Sequence, residues 1–409
     1  MQYKLTAPKE INTEILLPSS KSISNRALIL NALSLNASPI ANLSDCEDTQ
    51  VIIDAFNSNS NVFDIKAAGT AMRFLTAFLA GVEGEWTIKG SPRMHDRPIY
   101  PLVDTLKTLG ADIEYIEKKG YPPLKIKGKQ LRGGEVFLAG NISSQFLSAL
   151  LMIAPVMNNG LTINIENGVV SKPYIYLTIK LMEKYGVKVK WKDESLMVKP
   201  KAYKPFALTV ESDWSAASYW YEMVALLPIG SCVKLLGLEK ESLQGDSKTA
   251  ELFEYLGVST QFVADGVIIS KTKKPIERFF YDFINEPDLA QTFAVTCCLL
   301  NVRFLFSGLK TLKIKETDRV NALIVELRKL GFELQESKKN TLGWDGERCD
   351  AEVNPVIDTY DDHRMAMAFA PAAIQYPSLM INEPGVVAKS YPRFWDDLRK
   401  AGFGVSEVK

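Results

Sequence analysis

A short pattern recurs six times along this chain: a capping or turn residue, followed by a helical run rich in Ala, Leu, Met and other apolar residues. The runs begin at Ser20, Gly69, Ser143, Asp213, Asp288 and Asp361. From Gly69 onward the starts lie about 70–75 residues apart, a spacing typical of an array of supersecondary units. Because such a unit cannot bury its own sheet, the pattern predicts a repeating α/β protein.

A second, more amphipathic helix follows each apolar run after some thirty residues. Five of these helices end in a glycine that is typical of a C-cap: Gly110, Gly186, Gly257, Gly331 and Gly402. Strand-like segments lie between the helices, at 86–89, 124–127, 161–165, 187–191, 267–270 and 379–382. We therefore expect three α/β units before residue 211 and three after it, with no Ser/Gly-rich linker between the halves.

The composition of the chain limits the classes of function that it can have. A chain of 409 residues is long enough for two domains, and its 48 basic and 48 acidic residues offer no electrostatic case for nucleic acid or a membrane surface. The longest apolar runs, such as 147–157, are too short to span a bilayer, and the first residues lack an apolar targeting core. Five cysteines without metal-ligand spacing favour reduced thiols. We expect a soluble cytoplasmic protein.

Polar residues crowd the starts of the apolar helices, where unpaired N–H groups favour anions. They are Lys21, Ser22, Arg26, Thr70, Arg73, Ser143, Ser144, Gln145, Asp213, Asp288, Asp362, His363 and Arg364. Taken singly, the serines are explained as well by helix capping as by anion binding. Helix capping is the favoured explanation for Asp288, and a salt-bridged first turn is the favoured explanation for segment 315–319. His363 and Arg364 are harder to explain in this way, because they lead directly into a buried-type helix and so require a polar cleft.

Together, eight segments resemble in order the signature of the 5-enolpyruvylshikimate-3-phosphate synthase family. They are KSISNR (21–26), GTAMR (69–73), DRP (96–98), SSQF (143–146), SKPY (171–174), KETDR (315–319), DHRMAM (362–367) and AK (388–389). The resemblance extends from about residue 18 to 395. One segment departs from the family pattern: NAGTAMRP is usual, whereas this chain has AAGTAMRF at 67–74.

The resemblance implies a two-domain inside-out α/β barrel of six βαβαββ units, three per domain, with the active site in the interdomain cleft. One domain would be 20–210, on the side of shikimate 3-phosphate. The other would combine 1–19 with 211–409 and carry the catalytic acid and base. Closure of the domains would depend on ligand.

The implied reaction transfers the carboxyvinyl group of phosphoenolpyruvate to the 5-hydroxyl of shikimate 3-phosphate through a tetrahedral intermediate, in the shikimate pathway. It needs no metal or organic cofactor, and a monomer with these two small-molecule partners is expected. The alternative is the sister enzyme that uses UDP-N-acetylglucosamine. That enzyme typically has a Cys in the loop before Arg-Pro, and segment 91–97 has none.

The resemblance also assigns site residues. The catalytic residues would be Asp288, Glu316 and Lys21. Shikimate 3-phosphate would contact Lys21, Ser22, Arg26, Ser143, Ser144, Gln145, Ser171, Tyr174, Asp288 and Lys315. Phosphoenolpyruvate would contact Lys21, Gly69, Arg97, Gln145, Arg319, His363, Arg364 and Lys389.

Overall fold

The computed structural model describes residues 1–34, 36–141, 143–337 and 340–408. The chain divides into two compact units. The central unit is Ser20–Val210, and the terminal unit combines Met1–Ser19 with Glu211–Lys409. None of the described helices combines the length and the apolar character needed to cross a membrane.

Helices and strands alternate throughout both units. The helices are α1 (Lys21–Leu33), α2 (Glu47–Asn57), α3 (Gly69–Ala80), α4 (Pro92–His95), α5 (Tyr100–Thr108), α6 (Ser144–Ile153), α7 (Lys172–Lys184), α8 (Trp214–Leu226), α9 (Thr249–Tyr255), α10 (Ala290–Leu299), α11 (Arg319–Lys329), α12 (His363–Phe369) and α13 (Phe394–Lys400). The strands are β1 (Gln2–Thr6), β2 (Asn12–Leu16), β3 (Ile40–Ala41), β4 (Val62–Asp64), β5 (Gly84–Lys89), β6 (Asp112–Tyr115), β7 (Leu124–Gly128), β8 (Gly134–Ala139), β9 (Leu161–Glu166), β10 (Val189–Lys192), β11 (Ser195–Val198), β12 (Leu208–Thr209), β13 (Cys232–Leu236), β14 (Val258–Val263), β15 (Gly266–Lys271), β16 (Arg278–Asp282), β17 (Arg303–Ser307), β18 (Gln335–Ser337), β19 (Thr341–Trp344), β20 (Val356–Ile357), β21 (Met380–Asn382) and β22 (Gly404–Val408).

The central unit contains two four-stranded sheets with the same topology, ordered β4-β5-β7-β6 and β8-β9-β11-β10. In each, the first two strands are parallel and the others antiparallel, as a βαβαββ chain path requires. The third unit of this half is smaller in the described residues: β3 and β12 form a parallel pair of two residues each. Pro39 and Pro205, which cannot donate to a ladder, lie close to these strands.

The terminal unit contains three four-stranded sheets of the same kind, ordered β2-β13-β15-β14, β16-β17-β19-β18 and β20-β21-β1-β22. Two of them take a strand from the N-terminus. β1 lies antiparallel between β21 and β22, with Leu5 opposite Val405, and β2 runs parallel to β13. These pairings place Met1–Ser19 in the terminal unit, and the predicted α/β class is confirmed.

The apolar helices are buried on nearly every side. All ten residues of α10 and all seven of α12 are buried, as expected of helices that are apolar all round. The amphipathic helices bury one stripe. In α11 that stripe includes Val320, Leu323 and Leu327, which are three and four residues apart. Each apolar helix is therefore held by its surroundings, and its N-terminal side chains are fixed in place.

The predicted glycine C-caps are present. Gly110, Gly186, Gly257, Gly331 and Gly402 all have positive φ. After α5, α7, α11 and α13 the residue that follows the glycine donates its N–H to the carbonyl oxygen five residues earlier; these donors are Ala111, Val187, Phe332 and Phe403. This is the Schellman motif, which satisfies carbonyl groups at the end of the helix.

Three local predictions need correction. The helix predicted from Asp361 begins at His363, with Asp362 as its N-cap, because Asp361 has φ 56° and lies outside the helix. Asp288 does not cap α10 but lies in a 3₁₀ turn, Pro287–Leu289, that precedes it. The segment that begins at Val187 forms a strand only from Val189, because its first residues complete the C-cap of α7.

Candidate active site

In the terminal unit, the carboxylate of Asp288 is surrounded by cations. Its Oδ1 lies 3.0 Å from Nη1 of Arg319 and 3.4 Å from Nζ of Lys315, and its Oδ2 lies 2.9 Å from Nη2 of Arg364. These residues come from the 3₁₀ turn before α10, the start of α11, the loop before it and the start of α12. The repeat thus brings charged side chains from several helix starts to one carboxylate.

Arg319 is the centre of this cluster and is itself buried. Its Nε lies 2.7 Å from Oδ2 of Asp362, and its Nη2 lies 2.9 Å from Oε2 of Glu316. Burial opposes the guanidinium charge, but the three carboxylates outweigh burial and raise the pKa of Arg319 above its ordinary value. Arg319 therefore remains a cation in a buried position.

Lys315 responds differently to the same surroundings. Burial lowers the pKa of its ammonium below the ordinary value, although Asp288 opposes the shift. The cluster contains three cations, Lys315, Arg319 and Arg364, and three carboxylates, Asp288, Glu316 and Asp362. Each of these cations therefore already pairs with a carboxylate of the protein.

His363 and Lys389 lie at the same helix start. His363 is the first residue of α12 and is buried, with Nδ1 3.8 Å from Oδ1 of Asp362. Lys389 donates from Nζ to the carbonyl oxygen of Asp361 at 2.5 Å. Both side chains thus lie beside the N-terminus of α12, where the helix dipole favours anions.

In the central unit, Arg26 joins three helices. Its Nη1 donates to the carbonyl oxygen of Ser22 at 2.9 Å, and its Nη2 to that of Tyr174 at 3.4 Å. Its Nε donates to Oγ1 of Thr178 at 2.7 Å and its Nη2 to Oγ of Ser148 at 3.3 Å. Burial lowers the pKa of Arg26 to about 10. These contacts bring together α1, α6 and α7 at one end.

Lys21 and Gln145 lie at the helix starts of the same unit. Nζ of Lys21, in the first turn of α1, lies 3.1 Å from Oδ2 of Asp48 in α2. Nε2 of Gln145, in α6, donates to Oγ1 of Thr70, in α3, at 3.3 Å. The starts of α3 and α6 are therefore neighbours.

Gly69 and Arg97 are in close contact. A Cβ atom built on Gly69 would lie 2.6 Å from Nη1 of Arg97. Arg97 is buried, and Gly69 is the first residue of α3. The absence of a side chain at Gly69 allows the guanidinium to reach the backbone of the helix start.

Three serines complete the central cluster. Ser143 is the N-cap of α6 and accepts from the Gln145 N–H at 3.3 Å, and Ser144 is the buried first residue of that helix. Ser171 precedes α7 with φ 54°, a left-handed conformation that is uncommon for a residue with a side chain. Strain of this kind is often kept at binding sites, where the surrounding structure holds it.

Within each unit the predicted residues therefore converge. Sequence reasoning missed Asp48, Tyr219 and Asp246, which belong to the same clusters. Tyr219 accepts from Nη1 of Arg364 at 3.4 Å, and burial raises its pKa to about 12 against the effect of the two arginines. Little in the sequence points to these residues, because an acid in a first helical turn and a Tyr in a buried helix are ordinary features.

This chain is similar to known proteins over nearly its full length. The family model for EPSP synthase (3-phosphoshikimate 1-carboxyvinyltransferase) matches residues 5–58 and 53–398. A 3-phosphoshikimate 1-carboxyvinyltransferase of Bacteroides fragilis is 55% identical over 406 residues, covering 99% of each chain. One of Aliivibrio salmonicida is 38% identical over 427 residues, covering 96% of this chain and 97% of the relative.

The fold has a solved counterpart as well. An EPSP synthase structure from Acinetobacter baumannii superposes with a TM-score of 0.80 at 18% identity, covering 99% of this chain and 100% of the other. At this identity the likeness concerns the fold, which agrees with the α/β units described above. The family model and the full-length relatives together show that this chain belongs to the EPSP synthase (3-phosphoshikimate 1-carboxyvinyltransferase) family.

Proposed function

We propose that this protein transfers the carboxyvinyl group of phosphoenolpyruvate to the 5-hydroxyl of shikimate 3-phosphate and releases phosphate. Membership of the family gives the reaction. The observation that carries the proposal is the Asp288 carboxylate, held by three cations with Glu316 on the same arginine. A reaction that moves two protons between anionic substrates needs such a group of fixed acids, bases and cations.

Shikimate 3-phosphate is assigned mainly to the central unit. Ser143, Ser144 and Ser171 offer hydroxyl and backbone donors to its phosphate, as helix starts commonly do. Ser22 and Arg26 receive its carboxylate, Tyr174 lies against the ring, and Gln145 lies between the two substrates. From the terminal unit, Lys315 and Asp288 hold its hydroxyl groups.

Phosphoenolpyruvate is assigned to residues of both units. Arg319 and Arg364 bind its carboxylate, since a guanidinium offers two parallel donors to that group. Lys21, Arg97 and Lys389 bind its phosphate, with Gly69, Gln145 and His363 beside it. Because the cations around Asp288 already pair with carboxylates, the dianionic phosphate requires these further cations.

The chemistry has two steps. In the first, the 5-oxygen bonds to carbon 2, Glu316 gives a proton to carbon 3, and Asp288 takes the hydroxyl proton with assistance from Lys21. In the second, the bond from carbon 2 to the phosphate oxygen breaks, the phosphate leaves with the proton that Asp288 had taken, and Glu316 removes one proton from the carbon 3 methyl group. The carbon–carbon double bond is thereby restored in the product.

Substrate binding prepares Glu316 for its role as an acid. In the structure, Nη2 of Arg319 lies 2.9 Å from Oε2 of Glu316, a contact that favours the ionised carboxylate. A substrate carboxylate on Arg319 competes with that contact. The competition favours the protonated form of Glu316, which the first step requires.

We also propose that the protein acts in the cytoplasm as a monomer. The five cysteines, Cys46, Cys232, Cys297, Cys298 and Cys349, are all free thiols. Free thiols suit a reducing compartment.

The direct test is phosphate release from phosphoenolpyruvate with each acceptor. Shikimate 3-phosphate should support steady-state release, and UDP-N-acetylglucosamine should not. Release with UDP-N-acetylglucosamine alone would replace the proposal by the sister reaction. Release with neither acceptor would refute both.

A further inference from the structure

Glu326 is a fully buried acid in α11 that the proposed reaction does not use. Its Oε1 accepts from the hydroxyl of Tyr360 at 2.6 Å, and its Oε2 accepts from the backbone N–H of Asp358 at 3.1 Å. Nζ of Lys329, at the end of the same helix, lies 2.8 Å from Oε2. Two of these contacts reach the segment between β20 and α12, and Glu326 thereby ties that segment to α11.

The segment that Glu326 holds is a tight turn with an uncommon backbone. The N–H of Asp362 donates to the carbonyl oxygen of Thr359 at 2.8 Å, and the two residues between them are left-handed, Tyr360 with φ 53° and Asp361 with φ 56°. Positive φ at both central positions is the pattern of a type I′ turn, which favours Gly, Asn and Asp. A tyrosine there is strained, and such strain persists where the surrounding structure holds it.

One face of α11 holds this turn at two places. Arg319 and Glu326 are seven residues apart, about two helical turns, and so lie on the same side of the helix. Nε of Arg319 lies 2.7 Å from Oδ2 of Asp362, directly after the left-handed pair. Glu326 contacts the turn at Asp358 and Tyr360. The turn is therefore fixed to α11 both before and after its strained centre.

The turn in turn sets side chains that the proposed function assigns to phosphoenolpyruvate. His363 and Arg364 follow it directly as the first residues of α12. Nζ of Lys389 donates to the carbonyl oxygen of Asp361 at 2.5 Å. Nη2 of Arg364 lies 2.9 Å from Oδ2 of Asp288. A change in the turn would displace all of these groups together.

We propose that Glu326 is a positioning residue for phosphoenolpyruvate: it holds Tyr360 in the left-handed conformation and so fixes the start of α12. The inference rests on the role proposed above for the side chains at that helix start. A substrate carboxylate on Arg319 competes with Asp362 for the guanidinium. Glu326 is then the remaining contact from this face of α11 that holds the turn, and its effect is felt when the substrate is bound.

The experiment compares steady-state kinetics of the wild type, Tyr360→Phe and Glu326→Gln. Tyr360 is 37% exposed, and Tyr360→Phe removes one hydrogen bond without opening the core. It should raise the KM for phosphoenolpyruvate about 3- to 10-fold and leave the KM for shikimate 3-phosphate nearly unchanged. Glu326→Gln should raise the former about 10- to 30-fold, because its single amide oxygen can accept from only one of the two donors.

The double variant tests whether the two side chains act as one contact. Its KM for phosphoenolpyruvate should exceed that of the wild type by less than the product of the two single increases. The control is Tyr376→Phe, since the Tyr376 hydroxyl donates to the carbonyl oxygen of Leu330 beyond the end of the same helix, at 2.5 Å. This variant should lower the melting temperature and leave both KM values unchanged.

A second readout is independent of turnover. In the substrate-free protein, hydrogen exchange of the Asp362 amide should be at least about 5-fold faster in Tyr360→Phe and Glu326→Gln than in the wild type, and unchanged in Tyr376→Phe. An unchanged KM for phosphoenolpyruvate in both turn variants, an equal increase for both substrates, fully multiplicative effects in the double variant, or unchanged exchange at Asp362 would each overturn the inference. Absence of turnover in every protein, with the exchange as expected, would refute the proposed function instead.

Discussion

At the scale of single residues, Gly69 shows how closely the helix starts are built around cations. The guanidinium of Arg97 occupies the space that a Cβ atom would need, at 2.6–2.8 Å from its ideal position. Contacts this short are essentially absent from real structures, so one partner must move. The backbone at the start of the buried helix α3 is fixed by packing, whereas the end of the Arg97 side chain can move.

Gly69→Ala should therefore displace Arg97 and raise the KM for phosphoenolpyruvate. Loss of one charge-assisted hydrogen bond corresponds to an increase of about 10- to 100-fold. Steady-state kinetics with saturating shikimate 3-phosphate would measure it. Gly81→Ala, at the other end of α3, is a matched control because its Cβ would have an ordinary contact, 3.6 Å from the carbonyl oxygen of Phe78. Equal KM values in the two variants would show that Arg97 does not bind the substrate as proposed.

Glu222 in α8 makes stability depend on pH. It is fully buried, and burial raises its pKa well above its ordinary value. The folded protein therefore holds this proton at pH values where the unfolded chain has lost it. Stability from this group is complete below the unfolded pKa of 4.5 and declines as the pH rises toward the folded pKa, by up to about 1.4 kcal/mol per pH unit.

Glu222→Gln removes that decline, since the amide stays neutral. The difference in melting temperature between the variant and the wild type should grow in favour of the variant from about pH 5 to about pH 9. Thermal unfolding followed by circular dichroism would measure it. A constant difference over this range would mean that Glu222 is ionised in the folded protein or titrates as in the unfolded chain.

At the scale of elements, local signals in the sequence predicted most of the helix boundaries. Ser20, Ser143 and Asp213 are N-caps whose side chains accept from the first turn, and their chemistry acts over only a few residues. Asp288 was misjudged as a cap because Pro287 and an acid resemble a helix start, whereas a 3₁₀ turn intervenes. Its carboxylate is directed by distant cations, which no local pattern reveals.

The glycine C-caps provide a test of these elements. Gly110 has φ 101°, and a Cβ there would meet nothing closer than 3.4 Å. Gly110→Ala should therefore destabilise the protein through backbone strain alone, by about 1–2 kcal/mol. Gly81→Ala has negative φ, −98°, and should have a smaller effect. Urea unfolding of both variants measures the difference, and equal midpoints would contradict the importance of the left-handed cap.

At the scale of the whole molecule, the chain path explains why other features could not be predicted from spacing. β1 pairs with β21 and β22, nearly four hundred residues away in the sequence, and only the family resemblance placed residues 1–19 with the second half. Asp48 and Asp246 likewise reach Lys21 and the Asp288 cluster through tertiary packing. The motifs were predictable because each is short. Their assembly was not predictable, since it depends on the fold.

The proposed reaction of the whole molecule is addition followed by elimination at phosphoenolpyruvate, with Glu316 moving the carbon 3 proton. In the intermediate, carbon 3 is a methyl group that holds one proton from the enzyme. When the enzyme acid has exchanged with deuterated solvent, elimination can remove either isotope from this methyl group. The vinyl group of the product therefore records whether the intermediate formed.

The most direct measurement is the reaction in D₂O with phosphoenolpyruvate and shikimate 3-phosphate, followed by proton NMR of the product. The addition–elimination mechanism predicts deuterium at the vinylic carbon of the product, and a turnover reduced by about 10²–10⁴-fold in Glu316→Gln. Glu333→Gln, an exposed acid paired with Arg328, should behave as the wild type. Phosphate release with no deuterium in the vinyl group, or full turnover in Glu316→Gln, would contradict it.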